Sequence, residues 1–349
     1  MSFLDLSKRE FILFNPYRII HSEKAGYVLP KEKALKIDDI RKILIIGAGT
    51  MGQQIAFQCA MSGYETVLFD VDSAILEKSM KRIGKLSGSF LNSGRLTPEQ
   101  AEDALKRIRC SNHPEDAARD ADFISESVPE DPILKARVFS QFNRLCPARA
   151  IFTTNTSTLI PSMFAEATGR PDKFAAFHFH DVRVTNVVDI MPHAGTSAET
   201  LALIQAFAAR IGQVAIVMQK ENYGYVFNAM LTEVFKAAQT LAAGGVAGVE
   251  DIDRAWMGIM HTPIGPFGMM DSIGLDTVWK VTDYWARKIK DPQTLANAAF
   301  MKGYVDEGKL GAKCGRGFYR YPGPAYSFPQ FLTGNAESDI ASDCKKQAT

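Results

Sequence analysis

The hydrophobic pattern becomes regular at Arg41. Ile43, Leu44, Ile45 and Ile46 form a short unbroken apolar run bounded by charge and glycine, the pattern of a strand buried on both faces of a parallel sheet. Ile55, Ala56, Cys59 and Ala60 then fall at helical spacing up to Gly63, a residue suited to closing a helix. A second apolar run, Thr66 to Phe69, ends in Asp70. Residues 73–121 read as mostly helical and charged, with a turn at Asn92-Ser93-Gly94. Asp122 to Ser125 predicts a further strand, and Leu134, Val138, Phe139 and Phe142 line one face of the helix after it. Strand-like runs recur at 150–153, 174–177 and 214–218. Beyond them the spacing turns helical: Val226, Met230, Val234, Ala237 and Leu241 mark one helix, Gly244-Gly245 ends it, and Val249–Asp253 opens another. Strands alternating with helices, then helices alone, predict an α/β chain: a doubly wound, mostly parallel sheet followed by an all-helical C-terminal domain.

Between the first strand and the first helix stands Gly47-Ala48-Gly49-Thr50-Met51-Gly52, and Asp70 follows the second strand 18 residues past the last glycine. A lone G-x-G-x-x-G is a weak signal. In this context it is the fingerprint of a Rossmann-type dinucleotide-binding unit. Gly47 permits the tight turn, Gly49 lets the backbone approach a pyrophosphate, and Gly52 lets helix and strand pack closely. Thr50 and Met51 begin the helix whose free N–H groups and positive dipole end face the phosphates. Asp70 would accept from the adenosine ribose. Val71 and Asp72 follow it rather than Arg or Lys, so the cofactor predicted is NAD, not NADP. Glu126 and Glu130, in Glu126-Ser127-Val128-Pro129-Glu130, lie at a strand's C-terminal end, where such sheets bind ligands.

The chemistry concentrates between Thr153 and His178. Asn155 and Ser157 sit just past one strand and His178 inside the next. Hydride leaves a carbinol carbon only as the hydroxyl proton leaves oxygen. A base that titrates near neutrality is needed there, and histidine suits. Neutral donors such as serine and asparagine stabilise the growing alkoxide without competing for the proton.

These pieces together resemble the L-3-hydroxyacyl-CoA dehydrogenase family. The matching segments are G-A-G-T-M-G-Q-Q-I-A at 47–56, E-S-V-P-E at 126–130, N-T-S-T-L at 155–159 and F-H-F at 177–179. E-N-Y-G-Y-V-F-N at 221–228, T-P-I-G-P-F with D-S-I-G-L-D at 262–276, and G-K-L-G-A-K-C-G-R-G-F-Y at 308–319 continue the match. The 178–186 segment and Lys220–Tyr225 look closer to diketoreductase-like members. The resemblance implies reversible, NAD-linked oxidation of a 3-hydroxy to a 3-keto group on a CoA thioester. It makes His178 the base, Ser157 a donor to the substrate oxygen, Asn228 the oxyanion ligand, and Glu126 an acid near the nicotinamide. Asn155 and Glu130 are assigned to the cofactor side. The family orients its base with a Glu twelve residues on; here the matching acid is Asp189, eleven residues on and a methylene shorter. His180 and His193 are read as structural. Two further readings stand beside this one: a diketoreductase or gulonate-dehydrogenase-like enzyme acting without CoA, and a non-catalytic NAD-binding protein of the lens-crystallin kind.

The chain is expected to divide into an N-terminal arm (1–40) that resembles no known motif, an NAD-binding domain (41–219), a helical domain for substrate and dimer contacts (220–325) and a tail (326–349). Composition adds exclusions. At 349 residues with net charge +1, nothing draws the chain to nucleic acid or an anionic membrane surface. No apolar run reaches the ~20 residues a spanning helix needs. Five scattered cysteines lack metal-ligand spacing, so no metal is predicted, and reduced thiols point to the cytoplasm. Lys78, Lys81, Arg82 and Lys85 share one helix face. That face either meets an anionic ligand tail or is simply solvated.

Overall fold

The computed structural model describes residues 35–333; most of the expected N-terminal arm and the end of the expected tail lie outside them. Strands β1 (Lys42–Ile46), β2 (Glu65–Phe69), β3 (Ile108–Ser111), β4 (Phe123–Glu126), β5 (Ile151–Thr154), β6 (Phe174–Phe179), β7 (Val187–Met191) and β8 (Val214–Val217) form one sheet. Its order is β3-β2-β1-β4-β5-β6-β7-β8. All neighbours run parallel except β6 and β7. Around the sheet lie α1 (Thr50–Met61), α2 (Ser73–Asn92), α3 (Pro98–Lys106), α4 (Pro114–Ala118), α5 (Pro132–Leu145) and α6 (Ala198–Arg210). The chain reverses its winding between β1 and β4. A doubly wound sheet opens its ligand crevice at that point.

β1 shows why the sheet forms. Ile43 and Ile45 pack into the core beside α1, α2 and α6, while Leu44 and Ile46 pack beside Phe139 and Phe142 of α5. All four are at most 1% exposed, and each such burial contributes about 1.5–3 kcal/mol. The sequence did not predict β3. Only its end residues, Ile108 and Ser111, are buried, and it closes the sheet's edge beside β2, so a half-polar Ile-Arg-Cys-Ser run replaces the continuous apolar signal of a central strand.

Five helices follow: α7 (Phe227–Ala243), α8 (Val249–Met260), α9 (Pro266–Ile273), α10 (Leu275–Ile289) and α11 (Pro292–Asp306). Their core gathers Phe235, Met257, Phe267, Met270, Leu275 and Met301. Two buried carboxylates fasten the segment after α11. Asp253 accepts from Phe267 N, Gly268 N and the Tyr319 hydroxyl; Asp271 accepts from Phe318 N, Tyr319 N and the Tyr321 hydroxyl. The apolar stripe that marked α7 turns largely outward, with Val226, Met230 and Leu241 exposed. The face of α7 carrying Phe235 and Ala238 makes the core instead.

Packing continues past the expected domain end at 325. Phe331 is 1% exposed, its carbonyl accepts from Arg254 Nε at 2.6 Å, and the Arg254 guanidinium lies over its ring. At the other boundary Ile40 is buried with the sheet's core.

Candidate active site

The glycine turn has the geometry of a phosphate cradle. Gly47 stands at φ +101°, and a Cβ there would lie 2.6 Å from Ser127 O. A Cβ on Gly52 would lie 1.8 Å from Gly47 O, so turn and helix close on each other. At Gly49 a Cβ would meet nothing within 4 Å. The space there is open, on the side where the free N–H groups of α1's first turn begin with Thr50 and Met51. Asp70 Oδ2 accepts from Ala48 N at 2.9 Å and Oδ1 from Asp72 N at 3.1 Å. The carboxylate is thereby fixed at the edge of the turn with acceptor capacity left over. These residues suit a dinucleotide, which would lie across Gly47–Gly52 with its ribose at Asp70.

Beyond β4, two glutamates share one lysine. Glu126 is fully buried, and its carboxylate accepts from Lys135 Nζ (2.7 Å), Val128 N (2.7 Å) and Thr154 Oγ1 (2.6 Å). Burial raises its pKa, opposed by Lys135 and the two neutral donors. Glu130 stands outside it, 3.3 Å from the same ammonium. It accepts from the hydroxyls of Thr156 and Thr158 and from the N–H groups of Ser157 and Thr158. Burial acts against ionisation of Glu130, but these donors hold it below the usual carboxylate range. Glu130 therefore braces the Ser157 loop, while Glu126 lies beneath it as the lysine's counter-ion. Lys135 was not singled out in the sequence. Its signal was its place one turn before Phe139 on the buried face of α5.

His178 and Asp189 face each other directly across the antiparallel β6–β7 pair. Directly opposed side chains on such strands have Cβ atoms about 4.5–5.5 Å apart, a span that a short carboxylate bridges. Asp189 Oδ2 lies 3.1 Å from His178 Nδ1. The same oxygen lies 3.1 Å from His180 Nε2, so His180, read from sequence as structural, shares the carboxylate. Burial opposes ionisation of Asp189, but hydrogen bonds from His178 and His180 hold its pKa at about 2. His178 Nδ1 therefore donates, leaving Nε2 as the proton acceptor. His193 is engaged elsewhere: Nδ1 accepts from Gly195 N and Nε2 meets Pro171 O.

Asn155 Oδ1 accepts from Phe179 N at 2.7 Å and so ties the loop after β5 to the strand bearing His178. The second tie comes from the chain entering α7. Tyr225 places its ring 4.9 Å from that of His178, and Asn228 follows three residues on in the first turn of α7. Ser157 is half-exposed on the loop braced by Glu130. The hydroxyl of Ser157 and the side chain of Asn228 make no hydrogen bond among the described residues. The structure thus joins His178 with Asp189, Ser157 with Glu130, and Asp70 with the glycine turn.

A dinucleotide cradle at the sheet's switch point, with a carboxylate-held histidine beside it, defines a nucleotide-linked dehydrogenase. Residues 42–222 match the family model for the NAD-binding domain of 3-hydroxyacyl-CoA dehydrogenase, and 224–321 match that for its C-terminal domain. The chain belongs to the 3-hydroxyacyl-CoA dehydrogenase family, and its cofactor is NAD. A Caenorhabditis elegans protein described as a probable 3-hydroxyacyl-CoA dehydrogenase is 34% identical, covering 82% of this chain and 97% of its own. A probable 3-hydroxybutyryl-CoA dehydrogenase of Bacillus subtilis is 31% identical, covering 81% and 98%. Among solved structures, a diketoreductase acting on dicarbonyl compounds shares 37% identity over 81% of this chain and 99% of its own, with a TM-score of 0.75.

Proposed function

We propose that the protein interconverts 3-hydroxyacyl- and 3-ketoacyl-CoA thioesters, with His178 as the general base. The observation that carries the reading is the buried His178–Asp189 pair on the strand next to the Ser157 loop. NAD, when bound, supplies the hydride acceptor. His178 Nε2 takes the hydroxyl proton, and the Asp189 carboxylate stabilises the imidazolium that results. Ser157 and Asn228 donate to the substrate oxygen as charge builds on it. Glu130 and Asn155 hold the loop against the cofactor side, and Glu126 with Lys135 keeps that floor rigid. The exposed face of Lys78, Lys81, Arg82 and Lys85 on α2 receives the phosphates of CoA.

The exposed apolar residues Met230 and Leu241 of α7 and Val281, Tyr284 and Ile289 of α10 support a homodimer through the helical domain. The free thiols of Cys59, Cys110, Cys146 and Cys314 fit a cytoplasmic setting. The test is oxidation of NADH by acetoacetyl-CoA, followed by absorbance, in wild type and in a variant with the four basic residues changed to Glu. The variant should raise KM for the thioester but not for a CoA-free 3-keto ester. No turnover by a wild-type protein that binds NADH would defeat the reading. The 37% identity to a diketoreductase favours a second reading, a CoA-free dicarbonyl substrate. In that case free CoA would not compete and the charge reversal would leave KM unchanged.

A further inference from the structure

Tyr225 is 1% exposed, and its hydroxyl has no hydrogen-bond partner among the described residues. A buried phenol ordinarily finds one, and leaving it unmade costs stability. The backbone adds a second cost: Tyr225 sits at φ +57°, a conformation that bulky side chains rarely adopt. Its surroundings hold it there. Asn222 Nδ2 donates to Tyr225 O at 3.0 Å, Asn222 N donates to Met191 Sδ, and Glu221 accepts from Ser162 N at 2.6 Å. The segment entering α7 is thereby fixed to the sheet domain. The result is a hydroxyl without a partner on a ring 4.9 Å from the imidazole of His178.

Resting on the dehydrogenase reading above, we propose that the Tyr225 hydroxyl donates a hydrogen bond to the second oxygen of the substrate, the C1 carbonyl of a 3-ketoacyl thioester. The 3-oxygen is already assigned to His178, Ser157 and Asn228. A 3-ketoacyl ligand reaching them carries its other carbonyl two carbons away. Burial first, then the carboxylates of Glu130, Asp189, Glu126 and Glu221, raise the phenol's pKa, so it remains a donor. Lys135 balances those carboxylates only in part. They disfavour a free acid at this place and favour a neutral thioester or ester.

The test uses the full chain saturated with NAD in its oxidised form, which cannot exchange hydride with an oxidised substrate. Dissociation constants are measured by calorimetry for acetoacetyl-CoA and for the thioether in which a methylene replaces the C1 carbonyl. Wild type should bind the carbonyl compound about tenfold more tightly, the worth of one buried hydrogen bond. Tyr225→Phe should bind the two alike, with a melting temperature equal to or above that of wild type. Tyr225→Leu, which also lacks the hydroxyl, repeats the comparison in case the first variant folds poorly. A variant that keeps the tenfold preference, or that weakens both compounds equally, overturns the proposal, as does a wild type without the preference. A wild type that shows it yet never oxidises NADH with acetoacetyl-CoA defeats the dehydrogenase reading and leaves the assignment of Tyr225 standing.

Discussion

Asp189→Asn removes one charge from a single buried oxygen that serves two imidazoles, each at 3.1 Å. In the ground state His178 is neutral, and its bond to the carboxylate is ordinary. In the transition state His178 becomes an imidazolium and the bond becomes charge-assisted, worth about 1.5–3 kcal/mol. At 1.36 kcal/mol per decade, kcat/KM should fall about 10- to 150-fold. NADH affinity should not change, because Asp189 lies away from the glycine turn. The same substitution has a signature in stability. The folded pKa is about 2 against an ordinary 3.8. A depressed carboxylate pKa means that its contribution is complete above pH ~4 and disappears as pH falls toward 2. That contribution is about 2 kcal/mol, so urea midpoints of wild type and variant should differ at pH 7 and converge near pH 2. The assays are initial rates with NADH and acetoacetyl-CoA, fluorescence titration of NADH, and urea melts across pH. An Asn variant with kcat/KM within twofold of wild type would refute the role given to the pair. So would a stability gap that persisted at pH 2.

Further outcomes follow from contacts already described. Gly49→Ala should leave the melting temperature within a degree or so, since its Cβ meets nothing, while weakening NADH binding at least tenfold in a fluorescence titration. Gly52→Ala, whose Cβ would run into the carbonyl of Gly47, should instead lower the melting temperature or abolish soluble expression. Lys135→Met should cost about 3–5 kcal/mol in urea unfolding, because it leaves Glu126 buried without its counter-ion. Adding Glu126→Gln should recover much of that loss.

The parts legible in the sequence were those with one dominant local cause. β1, the glycine turn, α1 and Asp70 each carry their own signal: a continuous apolar run, a steric requirement, a helical period, an acid at a strand end. β3 was missed because an edge strand needs only half its residues buried. Lys135 was missed because lysine reads as polar surface. Its burial depends on Glu126 and Glu130, five to nine positions upstream, converging on one ammonium. The shared oxygen of Asp189 depends on the β6–β7 register, which sets His178 opposite Asp189 and which no window of sequence displays. Tyr225 followed a glycine, but neither its left-handed backbone nor its solitary hydroxyl has a local signature. The stripe on α7 had the right period and the wrong destination, since periodicity gives a face without saying what covers it.

Asp253 and Asp271 bear on the order in which this polypeptide matures. Each is committed on α8 or α9, yet each takes donors from residues 318–321, roughly fifty to seventy positions later in synthesis. A nascent chain that has emerged only as far as α11 holds two carboxylates waiting for ligands that the ribosome has not yet released. The sheet domain, complete by residue 217, faces no such delay. Ribosome-bound intermediates should therefore carry a finished nucleotide cradle well before the helices beside it are locked.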